Sequence, residues 1–163
     1  SIAKAAKASN ETLYRWYGDK QGLFRALVSD NAAETAQALG QAIQEGEEPF
    51  EALIKVAPVF LTMLLGERAV LLNRAASEPT GALGAALSAG GREVVQPLFQ
   101  KVMMRLAAGN EAEASRLTGA FLSLLVGDLQ IKRVIGVLPV LSQAQIDARV
   151  QDALDALRKL TRN

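Results

Sequence analysis

The sequence predicts an all-α protein. Strand signals are nearly absent: no stretch alternates apolar and polar residues with β-branched side chains between hairpin turns. Ala, Leu, Gln, Glu, Lys and Arg, which favour helices, dominate instead, and Gly, Pro and capping residues divide the chain at helical intervals. With 163 residues and half of them apolar, the chain can bury a substantial core in one or two compact units.

The elements follow in order. A short helix over 1–6 breaks at Lys7-Ala8, and Ser9 is placed to cap a second short helix over 10–16. Two short helices joined by a tight turn make a helix-turn-helix candidate. After Gly18-Asp19 a long helix is expected over 20–44, with Leu23, Leu27, Ala36, Leu39 and Ile43 among its apolar positions and Gly46 as its stop. Helices over 49–65 and 67–77 come next, then a short helix with loops in the Gly-, Ala- and Ser-rich stretch 79–91. Pro58 falls inside the first of these, where it removes a backbone bond; a kink there would shape a cavity or accommodate a neighbouring helix. A helix over 93–108 ends at Gly109. Asn110 and Glu113 have capping-box spacing and open a helix expected to reach 135, closed by Gly136. Ser142 and Gln145 repeat that spacing, and Ile146, Val150, Ala153, Leu154, Leu157 and Leu160 then form one apolar stripe on a last helix.

Charge is uneven. The net charge is +1, yet residues 1–25 place Lys4, Lys7, Arg15, Lys20 and Arg25 against Glu11 and Asp19. A basic end on a slightly acidic body suits an anionic partner such as a phosphate backbone, or is a chance surface fluctuation. The chain has no cysteine and no histidine, so disulfides, thiolate chemistry, the commonest metal ligand and the usual general base are all missing. No Gly-x-Ser-x-Gly elbow or phosphate-binding Gly-rich loop is present either, so no enzyme, metal or cofactor is expected. The longest strongly apolar stretch, Val56 to Leu65, is interrupted by Pro58 and too short to span a bilayer, and no signal segment opens the chain. A cytoplasmic protein with no membrane partner is expected.

The helix-turn-helix candidate has the chemistry of a DNA reader. A recognition helix needs small or polar residues in its exposed first turn to enter the major groove, and Ser9, Asn10, Glu11 and Thr12 fit. Thr12 and Tyr14 offer hydroxyls suited to phosphate oxygens, and Arg15 a forked donor suited to base edges. Lys20, in the first turn of the long helix, faces the positive end of the helix dipole. A DNA phosphate there would reverse the sign of that interaction; the alternative is a solvated lysine that tolerates a small cost.

The segment from Ile2 to Leu23, with Ile-Ala near its start, Leu13-Tyr14 in its middle, the aromatic pair Trp16-Tyr17 and Lys20-x-x-Leu23 at its end, resembles the helix-turn-helix of TetR-family transcriptional regulators. The resemblance implies that Thr12, Tyr14, Trp16 and Lys20 grip the DNA backbone, that Asn10, Glu11 and Arg15 face bases, and that Ile2, Ala6, Leu13, Tyr17 and Leu23 pack the small domain. Trp16 fits a core position equally. Two features depart from the family pattern: Lys7 stands where the family usually has a turn glycine, and the family's first helix does not precede the segment. The region beyond about residue 45 is similar to the C-terminal domain of AefR-like members, in Leu71 to Pro79, in Phe121 to Gly136 with its Gly127-Asp128 pair, and in the last helix.

The resemblance therefore implies an incomplete helix-turn-helix DNA-binding domain over 1–25 joined to an effector-binding and dimerisation domain over 26–163. Gly119, Ser123 and Gly127 recur every four residues and form a flat face for close helix approach, within the chain or between two copies. With Ile146, Val150, Leu154 and Leu157 they are the candidate homodimer interface, built by the last two helices of each copy. A two-fold dimer would read palindromic double-stranded operator DNA. The candidate effector pocket lies among the helices at 20–44, 49–65, 93–108 and 110–135, with Phe60, Met63, Leu64, Phe99, Met103, Phe121, Leu124 and Asp128 as lining residues. Phe and Met at such spacing serve a core equally well, although the Met103-Met104 pair would adapt to varied ligands. The expected function is a ligand-responsive repressor released by a small, largely apolar effector. The alternative is a helical small-molecule-binding or interaction protein without specific DNA binding.

Overall fold

The computed structural model describes residues 12, 15, 17–77 and 81–162. Every element among them is helical: α1 (Lys20–Gln44), α2 (Pro49–Leu65), α3 (Glu67–Ala76), α4 (Ala82–Leu87) running into a π-helical turn (Ser88–Arg92), α5 (Glu93–Leu106), α6 (Glu111–Val126), α7 (Leu129–Val134) and α8 (Gln143–Leu160). The short helix at 1–6, the turn at Lys7 and the cap at Ser9 lie outside the described residues.

Local chemistry explains most of the boundaries. The Asp19 carboxylate caps α1 by accepting from the Gly22 N–H at 2.7 Å. At the other end Gly46 adopts φ +66, and the Gly46 and Glu47 N–H groups reach back to the Ile43 and Ala42 carbonyls at 3.2 and 3.1 Å. That is a Schellman stop, which needs a left-handed residue after the cap. Pro49 opens α2 from its first turn, where a missing N–H costs nothing. Asn110 caps α6, and at α8 Ser142 and Gln145 satisfy each other's backbone in a full capping box.

The core has two parts. The larger lies among α1, α2, α5, α6 and α8 and centres on Phe99, whose ring meets Phe60 edge-on at 5.2 Å and Phe121 at 6.0 Å. Burying each such side chain stabilises the fold by roughly 1.5–3 kcal/mol. The smaller part gathers Phe24, Val28, Leu72, Leu83 and Ala86 where α3 and α4 cover the first half of α1. There Gly90 of the π-helical turn allows the backbone to approach α1: a Cβ on it would stand 3.0 Å from a Val28 methyl. Arginines tie the remaining ends together. Arg133 donates to the Leu65 carbonyl that ends α2, Arg149 to Leu125 at the end of α6, and Arg74 to Val134 at the end of α7.

Two expectations are corrected and one is made more specific. The helix expected over 110–135 is broken, because Gly127 takes φ +49 and ψ −128, a conformation only glycine adopts readily; α6 stops at Val126 and α7 starts afresh at Leu129. The buried stripe of α1 is Phe24, Val28, Ala32, Thr35, Leu39 and Ala42, with Leu23, Leu27, Ala36 and Ile43 half-buried on its flanks. The third concerns α8, whose apolar stripe packs onto α6 and α2 of the same chain. Ile146, Val150, Leu154 and Leu157 are all buried there, so they cannot also meet a second copy.

Among the described residues no single helix is long and apolar enough to cross a membrane. The apolar α2–α3 pair, bent by 55° at Gly66, supplies core residues to both clusters.

Candidate functional site

Two regions carry candidate function, and α1 belongs to both. At its N-terminal end Thr12, Arg15 and Tyr17 are helical, with Arg15 and Tyr17 exposed. Gly18 (φ +79) and Asp19 then reverse the chain into α1. The turn is tight: a Cβ on Gly22 would lie 2.0 Å from the Tyr17 carbonyl oxygen, so glycine is required where the preceding helix crosses the first turn of α1. Lys20 is exposed at the first position of α1. The Asp19 carboxylate sits at the same helix end and offsets the dipole, so a lysine is tolerable there before any phosphate is considered. Ser9, Asn10, Glu11, Tyr14 and Trp16 lie outside the described residues.

The second region is a partly open cavity of about 550 Å³ between α1, α2, α5 and α6, also lined by the π-helical turn, α7 and Ala69 of α3. Val28, Asn31 and Ala32 of α1 form one wall. Of the residues expected to line a pocket, Phe60, Met63, Leu64 and Phe99 face it. The other four do not. Met103 and Phe121 are fully buried in the core, Phe121 standing on the Phe99 ring, and Leu124 is half-buried against the same core. Asp128 is exposed and pairs with Lys132 at 2.7 Å, and that ammonium holds its carboxyl below the usual carboxylate range.

The structure adds residues that periodicity alone did not single out. Arg92, Gln96 and Phe99 follow one another at helical spacing on the cavity side of α5 and the turn before it, and Asn31, Ser123 and Gln130 bring further polar groups to the walls. Arg92 is the one charged side chain among the lining residues. The signal in the sequence is the polar start, Arg92 and Gln96, of an arc that continues into apolar Phe99. A shallower groove of about 440 Å³ adjoins the cavity and shares Asn31 and Met63 with it. That groove carries Asp30 and Glu34, and Asp30 is paired with Arg68 at 2.7 Å.

Gly119, Ser123 and Gly127 are exposed and also line the cavity, so the small-residue face of α6 forms part of its rim. Nothing lies within 4 Å of the position a Gly119 Cβ would take, whereas one on Gly127 would meet the Arg149 guanidinium at 2.8 Å. Beyond α6, Ile131, Ile135, Val137 and Val140 are large apolar side chains left more than half exposed. Among the described residues no group of His, Cys, Asp and Glu is arranged to hold a metal ion.

A long helix thus leads from a short N-terminal helical segment into a helical body whose cavity is lined largely by apolar side chains. Solved structures share the fold. The chain matches a TetR-family transcriptional regulator from Mesorhizobium loti over 98% of its own length and 83% of the other, with a TM-score of 0.76 and 18% identity. It matches a TetR transcriptional regulator from Agrobacterium tumefaciens over 98% and 80%, at TM-score 0.68 and 24% identity. It also matches the flavonoid-responsive regulator FrrA over 98% and 83%, at TM-score 0.64 and 23% identity. The protein has the TetR-family fold. No protein-family model matches the sequence, and no curated protein is significantly similar to it.

Proposed function

We propose that the protein is a ligand-responsive transcriptional regulator, a repressor that binds palindromic operator DNA as a homodimer and is released by a small, largely apolar effector in the cavity. One observation carries this reading. The cavity is walled in part by Val28, Asn31 and Ala32 of α1, the helix whose first turn is crossed by the segment holding Thr12, Arg15 and Tyr17. A ligand that prefers one position of α1 must therefore shift the position of the DNA-reading segment, which is how binding at two sites becomes coupled.

In this reading residues 1–25 are the reading head, with Ser9, Asn10, Glu11, Thr12, Tyr14, Arg15, Trp16 and Lys20 as its DNA contacts, and residues 26–163 sense and dimerise. Phe60, Met63, Leu64 and Phe99 hold the effector. Because the α8 stripe is buried within the chain, the dimer uses the exposed face of α6 at Gly119 and Ser123 with the apolar residues at 131–140. Apolar area of that kind on a surface otherwise rich in charge is what a second copy would cover. The flavonoid response of FrrA fits an effector with aromatic rings.

The test is selection of duplex DNA from a random pool by the full-length protein at moderate salt. A palindrome should be enriched and bound by two chains, and Arg15→Ala and Tyr14→Ala should each weaken it at least about tenfold. Enrichment of no sequence, with only salt-sensitive non-specific binding, would sink the reading.

A further inference from the structure

We infer that the cavity takes an organic anion, an apolar ring-bearing body with one carboxylate- or sulfonate-type group held by Arg92; this rests on the ligand-binding reading of the cavity above. Phe60, Phe99, Leu122 and Val126 give the cavity apolar walls that suit rings, and Arg92 supplies its one charge. A carboxylate or sulfonate pairs with that guanidinium, an interaction that an uncharged apolar ligand cannot make.

The use made of the other arginines sharpens the contrast. Arg74, Arg133 and Arg149 each donate to a backbone carbonyl at a helix end, at 2.7, 2.9 and 2.9 Å. Arg92 sits at the end of the π-helical turn and its side chain makes no hydrogen bond or ion pair with any described residue, so its planar fork of donors is left for another acceptor. π-Helical turns of this kind recur at functional sites.

Its surroundings favour an anion. The neighbouring Glu93 carboxylate accepts from the Ser88 hydroxyl at 3.0 Å and does not line the cavity, and Asp30 is engaged by Arg68. Asp30 and Glu34 face the adjoining groove instead. An anionic group at Arg92 therefore meets no carboxylate within the cavity, whose other polar lining includes the Gln96 and Asn31 amides. One cation suits a single charge. Arg92 is exposed at the rim, so solvent screens the attraction and the preference is moderate and salt-sensitive.

The experiment compares two fluorescent probes on the full-length protein: 1-anilinonaphthalene-8-sulfonate and the uncharged N-phenyl-1-naphthylamine, which has the same rings without the sulfonate. Arg92→Ala should weaken the sulfonate about three- to tenfold and the neutral probe less than about twofold, with the difference shrinking at high salt. Leu122→Trp, which fills the cavity from α6, should abolish both. Val126→Trp, which fills the cavity from further along α6, should do the same if the first variant fails to fold. Retention of both probes by correctly folded tryptophan variants would overturn the cavity reading and the inference with it. Loss of both probes in those variants, with Arg92→Ala still holding the sulfonate as well as the wild type does, would overturn the assignment of the anion alone.

Discussion

Single backbone positions decide how the head meets the body. Gly22 lies under the Tyr17 carbonyl so closely that any side chain must push the preceding helix away. Forcing one methyl into such a contact costs about 1–3 kcal/mol, and the exposed N-terminal side will yield before the packed body does. Gly22→Ala should therefore abolish specific DNA binding while the melting temperature of the helical body stays within a few degrees of wild type, as read by circular dichroism. Ala108 shows the opposite case. It holds φ +48 at the end of α5 while the Gly109 N–H reaches back to the Met104 carbonyl at 2.9 Å, a Schellman stop with alanine in the left-handed position that glycine favours. Ala108→Gly should raise stability by about 0.5–1 kcal/mol in thermal or urea unfolding, because the strain relieved exceeds the entropy glycine adds to the unfolded chain. Residues of this kind are hard to read in advance. Gly109 announces that a helix ends, but not that Ala108 takes the strained place before it.

Helix ends were legible wherever a side chain both caps and signals. Asn110, Ser142 with Gln145, and Gly46 mark boundaries by chemistry local to a few residues, and the structure uses each in that way. Helix faces were less legible. The stripe on α8 reads the same whether it covers α6 of its own chain or a second molecule, since periodicity reports which face is apolar and not what covers it. The break at Gly127 was concealed by the helix-forming residues on both sides of it. Exposed ion pairs on these helices have a pH signature. Glu113 lies in the first turn of α6, and Arg116 bonds both its oxygens, at 2.8 and 2.7 Å, holding its carboxyl below the usual range. A carboxyl whose folded pKa is lowered stabilises the fold above its unfolded pKa, and that contribution is lost as the pH falls through the folded value. Glu113→Gln should therefore melt slightly below the wild type at neutral pH, the two curves should converge in strong acid, and high salt should narrow the gap.

At the scale of the whole molecule one helix joins two regions. α1 presents Val28, Asn31 and Ala32 to the cavity and receives the N-terminal segment over its first turn, while Gly90 presses the π-helical turn against Val28. In the proposed reading, a group that enters between α5 and α1 acts on a continuous helix of 25 residues, which would carry a displacement at the cavity to its first turn. The all-α class was legible in the sequence through its helix-favouring composition, and the long helix after Gly18-Asp19 through its cap and its glycine stop, whereas most of the pattern from Ile2 to Leu23 lies outside the described residues. The cavity was half legible, because Phe60 and Phe99 announce themselves and Arg92, Gln96 and Asn31 do not.

Operator affinity in a variant whose cavity is filled tests this coupling most directly. In fluorescence anisotropy with a palindromic duplex selected by the wild type, Leu122→Trp touches no DNA-reading residue, yet it should weaken binding about fivefold or more, the size typical of coupled sites. A folded, dimeric Leu122→Trp protein that no longer admits the naphthalene probes and still binds the duplex as tightly as the wild type would contradict the account.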